Sequence, residues 1–348
     1  VARASQLRRI LAALLDQHDA LIRDAFLLSI AGIRSEITLK LLVERLEKGD
    51  VAGALEALNL ERAAFARLDN AIATAFNAGG TAMTGHMPTL RDASGHRIVV
   101  RFDARNLRAE EWLRGHSATA VTRIIEDQRA GLRVALEKGM AAGRNPNSVA
   151  LDIAGRLNRA SGRREGGLVG LTTQQTEYSA SARDELLSGD AALMRNYLAR
   201  GRRDKRFDRS VTRAINEGRA LDASTVSQIV GRYSDRLLQL RGEMIGRTEA
   251  LTSLHAGKYE GFLQGLDKTN YPPEAVTRTW RSAGDHKVRH THGAMNGQVV
   301  QGLSAPFVSP SGATLRYPGD TALGAGADEV VHCRCDTDME IDFSWGVT

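Results

Sequence analysis

Cysteine, aromatic side chains and lysine are what this 348-residue chain has least of: two cysteines, 5% aromatics, and few lysines among 47 basic residues. The two cysteines, Cys333 and Cys335, stand one residue apart. They are too few for the disulfide framework of a small secreted domain. A bridge between positions i and i+2 would also be strained, so a reducing compartment is the expectation. No run of about 18 apolar residues occurs, and so no membrane span is expected. No basic, then apolar, then small-residue segment opens the sequence. It opens on Val1 rather than Met, which leaves a processed and a truncated start both open. Scarce aromatics go with an excess of Ala, Leu and Arg over the first three quarters, a mixture that favours helix over sheet. The net charge of +6 permits nucleic acid or an acidic partner surface nearby without demanding either.

Leu7, Leu11, Leu14, His18, Leu21 and Ala25 recur at steps of four and three, the apolar stripe of a helix that Gly32 is expected to break. A second run carries Ile33, Ile37, Leu41 and Leu42 and ends near Gly49, in the place of a C-cap glycine. A third runs from about Val51 to Phe76 and should stop at Asn77-Ala78-Gly79-Gly80. Short connections make such helices antiparallel neighbours. Residues 1–80 therefore read as an N-terminal helical arm or hairpin, either self-contained or packed on partner subunits. Residues 81–266 read as a helical domain with a short β insertion near 96–103, where β-branched residues alternate. Asn147 or Ser148 should cap one helix in it, and Thr172 or Thr173 another. The Gly-rich loop 161–175 lacks the Gly-Lys-Ser/Thr ending of a phosphate-binding loop and is a structural turn.

The densest basic run, 199–210, interleaves Arg202, Arg203, Lys205 and Arg206 with Asp204 and Asp208. Local ion pairs account for it, and contact of those four bases with nucleic acid is the alternative. From about 224 to 262 one long helix carries Val230, Tyr233, Leu237, Leu240, Met244, Thr248, Leu251 and His255 along a heptad-like seam. Gly242, Gly246 and Gly257 within it cost helix stability and point to close approach by another helix. The Pro-Pro pair at 272–273 ends the helical region, ahead of a third domain that takes in 267–348.

In that domain 276–280 reads as a strand. Ser282 as N-cap, with Asp285 in the capping-box position, predicts a short helix reaching Gly297. Asp285, Arg289, His292 and Asn296 would share one face of it, with Asp285 and Arg289 paired. The segments 297–302, 313–320 and 328–336 read as short strands and turns. In the last of them alternation puts Cys333 and Cys335 on one face, with His332 and Arg334 on the other. His292, Cys333 and Cys335, with His286 or Asp285 as a fourth ligand, could assemble a structural zinc site. One residue between the cysteines is shorter than the usual spacing, and His286 lies off the face that carries His292. The preferred reading has no cofactor: the cysteines are small buried hydrophobes, and His292 is hydrogen-bonded where helix meets sheet. No catalytic residue and no small-molecule substrate are assigned, since nothing marks one cysteine as the activated nucleophile.

Taken together, Trp280, Asp285, Arg289, His292, Asn296 and Gly297, then Tyr317-Pro318-Gly319-Asp320, then Cys333-Arg334-Cys335 closely resemble the signature of the phage Mu F-like minor head proteins, a family of phage head morphogenesis proteins. Arg247-Thr248-Glu249 resembles that family's Arg-Thr-Glu helix. The resemblance covers roughly 161–336 and is most specific from Trp280 to Cys335. It departs at His332, where the family usually has Asn. It implies a structural minor capsid protein of a tailed phage, made in the host cytoplasm and built into the virion in few copies. The implied place is the capsid interior near the portal, with portal protein, major capsid protein and packaged double-stranded DNA as partners and no membrane. Some relatives carry a toxin domain after this module; with the sequence ending at Thr348, none is expected here. Two readings compete: a metal-dependent nuclease or other hydrolase built on the His/Asp/Cys constellation, and a nucleic-acid-binding protein that uses the Arg-rich helices. The expected fold is mainly α, long helices in a bundle or arms, with a small C-terminal α+β domain.

Overall fold

Ala, Leu and Arg at helical spacing give the first long helix, α1 (Ala2–Glu36), in a computed structural model that describes residues 2–92 and 94–346. Next come α2 (Leu39–Glu47), α3 (Val51–Glu56), a 3-10 turn at Arg62–Phe65 and α4 (Ala66–His86). A hairpin of β1 (Leu90–Arg91) and β2 (Arg97–Ile98) leads to α5 (Leu107–Ala141) and α6 (Pro146–Ala154). A second hairpin, β3 (Arg156–Asn158) with β4 (Arg163–Glu165), precedes α7 (Thr173–Leu187) and α8 (Ala191–Ala199). A 3-10 turn at Lys205–Phe207 and α9 (Asp208–Asn216) lead into α10 (Ala223–Leu266). The remainder alternates β5 (Val276–Arg281), α11 (His290–Ala294), β6 (Val299–Gln301), β7 (Phe307–Val308), β8 (Thr314–Leu315), α12 (Ala327–Val330) and β9 (Asp336–Ile341). The fold is mainly α with a small C-terminal α+β region.

Several boundaries differ from the sequence expectation, each for a physical reason. Gly32 does not break α1; it lies on the exposed face, where a glycine costs only helix propensity. The buried stripe of α1 keeps Leu7, Leu11 and His18, then runs through Leu15, Ile22, Phe26, Ile30 and Ile33, leaving Leu21 47% exposed. A 3.5-residue repeat slips against a 3.6-residue helix, so the true face drifts one position on. Gly79 and Gly80 sit inside α4 rather than ending it. The helix after the 142–145 turn is capped by Asn145, whose side chain accepts from the amides of Asn147 and Ser148, with Pro146 pre-set for the first turn. Thr172 caps α7 in a full capping box with Gln175.

The chain divides into two compact units: Val1–Asp24, Leu68–Ser117 and Glu243–Thr348 form the first, Ala25–Arg67 and Ala118–Gly242 the second. Neither follows a sequential cut near 80 or 266. Helices α1, α5 and α10, of 35, 35 and 44 residues, each contribute to both units. Composition breaks mark loops and cannot reveal that one helix serves two cores.

In the first unit the sheet order is β6-β5-β9, antiparallel throughout, with Trp280 opposite Thr337 and Arg278 opposite Met339. One core gathers Leu7, Leu11, Met83, Phe262, Val276 and Ile341; another sets Phe76 and Tyr317 around Ala109 and Ala256. From 251 to 258 α10 is buried on every face. Its Gly257 and Gly261 lie against the backbone of Phe76 and Gly80 in α4, the close approach that its glycines predict.

The second unit buries Phe26, Ile30, Leu42, Leu46, Val149 and Ile153. It also buries charge. Arg34 donates to the carbonyls of Gly167 and Val169, and Asp152 receives Arg144, Arg156 and Arg183. Two members of the basic run are paired locally. Arg203 forks onto Asp208 with two 2.9 Å bonds, Arg206 forks onto Asp204, and Arg236 reaches Asp204 at 3.3 Å. Arg202 and Lys205 lie on the exposed surface. Asp204 also caps the 3-10 turn through the Arg206 amide. The hydrogen bonds from Arg206, with Arg236 nearby, hold its carboxyl down at about 2. A depressed carboxyl stabilises fully above its ordinary value of 3.8 and loses that contribution as pH falls through about 2. Asp204→Ala is expected to cost about 1–2 kcal/mol at pH 7 from the lost cap. Urea melts should show the gap to wild type closing only below pH 4; a gap unchanged at pH 2 would disprove the pairing.

Candidate functional site

Strand β5 organises the C-terminal region because its alternation is strict: Val276, Arg278 and Trp280 are all fully buried. Arg278 donates to the carbonyls of Gly302, Ala305 and Arg316, and its guanidinium lies 5.3 Å from the centroid of Phe307. One buried cation thus gathers three turns of irregular chain that have few ladder partners of their own. Trp280 meets Phe307 and His292 edge-on, at centroid distances of 5.3 and 5.2 Å.

The expected helix over 282–297 is mostly absent. Only His290–Ala294 is helical, with Arg289 at the N-cap position. Gly284 has φ +72°, which stops a helix from starting at Ser282. Asp285 is taken by Arg334 rather than Arg289: the two side chains pair through two 2.5 Å bonds, and this holds the Asp285 carboxyl well below its usual range. Arg289 instead donates to the Glu329 and Val331 carbonyls, closing the C-terminal end of α12. Asn296 accepts the Ser282 amide, and Gly297, at φ +83°, donates its N–H to the Trp280 carbonyl. Together they turn the chain from α11 back beside β5. Asp320 receives Arg316 at 2.7 and 3.1 Å and the Arg316 and Ala322 amides. Pro318 is buried, and Gly319, at φ +86°, lies against Thr252 of α10, where any side chain would press on that residue.

The segment expected as a strand through both cysteines is α12 followed by a turn. His332 takes φ +55°, and β9 begins only at Asp336. The alternating burial nevertheless holds: Cys333 and Cys335 are inside, and His332 is exposed. His292 of α11 is 1% exposed and stands between them, its Nδ1 3.4 Å from each sulfur. On the other side its Nε2 lies 2.7 Å from Glu329. Glu329 accepts hydroxyls from Ser309 at 2.9 Å, Ser311 at 2.6 Å and Thr291 at 3.3 Å. Burial raises the Glu329 carboxyl; these hydroxyls and His292 outweigh it and set the group below its usual range. The hydrogen bond from Cys335, with His292 adding to it, pulls the Cys333 thiol well down, and the same shared bond pushes Cys335 up. His286, the expected extra ligand, is exposed and outside this cluster.

Beside Cys335, buried Lys258 binds Asp336 at 2.6 Å and donates to the Thr337 carbonyl. Cys335 also lines a cleft of about 330 Å³ with His255, Arg281, Ser282 and Arg334. Sequence reasoning missed Glu329, Arg278 and Lys258. Glu329 was hidden inside a stretch read as strand. A search for a carboxylate to hold the second nitrogen of a buried histidine would have raised it. Arg278 and Lys258 carry no sequence signal beyond a charge at a position whose neighbours on the same face are apolar. No protein-family model matches the chain, and neither a curated protein nor a solved structure matches it.

Proposed function

We propose that the chain is a structural minor head protein of a tailed phage, acting in head assembly on the inner side of the capsid, near the portal and the packaged DNA. The observation that supports this best is how the signature residues are used. Asp285 with Arg334, Arg289 with the end of α12, Asn296 and Gly297 with β5, and Asp320 with Arg316 all fasten one stretch of chain to another. Each is spent on bracing, as befits a module whose task is to keep its shape while its surfaces bind. The local neutralisation of Arg203 and Arg206 weighs against a protein that works chiefly by gripping nucleic acid, since phosphate contact needs free cations.

Co-expression of the tagged full chain with the portal and major capsid proteins of the same genome tests the reading. Co-purification of at least one of them, surviving moderate salt, is the expected result. If neither associates, and the purified chain instead cleaves DNA in a reaction that stops with chelator, the assembly reading is wrong and the hydrolase reading replaces it.

A further inference from the structure

We propose that His292, Cys333 and Cys335 bind a single Zn2+ ion through Nδ1 and the two sulfurs, as a structural clamp between α11, the turn after α12 and the start of β9. The inference does not depend on the phage reading.

The donor set comes first. Two sulfurs and an imidazole nitrogen, all buried, have their donor atoms within 4.8 Å of one another. Thiolate and imidazole together are the ligand chemistry of zinc. With Zn–S near 2.3 Å and Zn–N near 2.0 Å, a tetrahedral site has N···S edges of about 3.5 Å. The two observed Nδ1···Sγ distances are both 3.4 Å.

The surroundings agree with the donors. Glu329 lies 2.7 Å from Nε2, and with the imidazole proton on that nitrogen the Nδ1 lone pair faces the sulfurs. A carboxylate fixed by hydroxyls on the far nitrogen of a ligating histidine is the usual outer partner of such sites. One N–H is also aimed at sulfur: the Cys335 amide is 3.5 Å from the Cys333 sulfur. A sulfur placed to accept a hydrogen bond suits a thiolate.

The short Cys-x-Cys spacing works because the left-handed His332 turns the chain just before Cys333, so both sulfurs face inward without a longer knuckle. Among the described residues no fourth protein donor joins the cluster. The remaining tetrahedral position falls to water or another exogenous donor.

The test uses full-length protein, reduced and stripped with a mild chelator, then titrated with Zn2+ or with Co2+ as a spectroscopic probe. We expect one ion per chain, a higher melting temperature, two thiols that react with a thiol reagent before loading and not after, and thiolate-to-cobalt charge transfer with the intense visible bands of four-coordinate Co2+. Cys335→Ser should lose the charge transfer and most of the affinity. Glu329→Gln, which keeps every ligand, should bind about 10–100-fold more weakly, and it serves as the variant of record if Cys335→Ser does not fold. Zn2+ that leaves thiol reactivity and melting unchanged overturns the proposal. So does Co2+ binding that lacks charge transfer, or that persists undiminished in both variants, since the ion then sits on exposed histidines such as His286 and His290.

Discussion

Replacing Gly257 by valine is expected to destabilise the first unit by about 4 kcal/mol or more, whereas replacing Gly115 by alanine should stabilise it by about 0.5–1 kcal/mol. Both glycines lie within helices, so propensity alone would predict a gain for each. The difference is what a side chain would meet. A Cβ on Gly257 overlaps the Phe76 carbonyl oxygen and crowds the Gly80 amide; one on Gly79 in turn overlaps the Leu254 carbonyl. A Cβ on Gly115 would meet nothing within 4 Å outside its own turn of helix. Overpacking against side chains costs about 1–3 kcal/mol because rotamers yield. Here the obstacle is backbone on both sides, and relief requires α4 and α10 to separate. That separation would open the core in which Trp112 stacks on Phe76 at a centroid distance of 4.8 Å. The readout is built in. All three tryptophans, Trp112, Trp280 and Trp345, belong to the first unit, so tryptophan fluorescence during urea unfolding follows that unit alone. A midpoint for Gly257→Val within error of wild type would mean that the helices do not cross as closely as their backbones indicate.

The same pair of helices marks how far the sequence could be read. The length of α10, the two ends of its apolar seam and the close approach at Gly257 were legible, because helical periodicity and missing side chains are local signals; in the middle the seam fails, with Met244 38% exposed. That Gly79 and Gly80 lie inside a helix was not legible. A Gly-Gly pair is a stop signal unless a partner backbone fills the space, and the partner is about 175 positions along the chain. The C-terminal cluster divides in the same way. Cys333, Cys335 and His292 were singled out from residue type, and they do converge. The helix expected to carry His292 shrank to five residues because Arg334, remote in sequence, takes Asp285, and Gly284 adopts a left-handed turn. Glu329, Arg278 and Lys258 depend wholly on tertiary neighbours. A buried charge looks like any surface charge until its acceptors are in view.

Arg34→Met should be the most damaging single change in the second unit, at about 3–5 kcal/mol. Arg34 is 4% exposed near the end of α1. Its guanidinium donates to the Val169 carbonyl at 2.8 and 3.1 Å, to the Gly167 carbonyl at 2.8 Å and to Asp235 at 3.4 Å. Methionine keeps the apolar stem and removes every donor, stranding two buried carbonyls and a carboxylate. Lysine should recover little, because a point charge cannot fork to two carbonyls. Asp235 supplies a second signature. Burial raises its carboxyl above the ordinary 3.8; the Gly166 amide and Arg34 pull the other way without cancelling it. A carboxyl raised in the folded state costs stability as pH climbs from the unfolded value through the folded one. Without Arg34 it rises further and the cost at neutral pH grows. The gap between wild type and Arg34→Met should therefore be widest at pH 7 and narrow toward pH 4, and adding Asp235→Asn should close part of it at pH 7. Amide hydrogen exchange at 167–171 during urea unfolding reads the second unit, which holds no tryptophan, while far-UV circular dichroism follows the helices of both units. A gap that stays constant, or widens on acidification, would mean that Arg34 acts through its carbonyl acceptors alone and that Asp235 is no part of the brace.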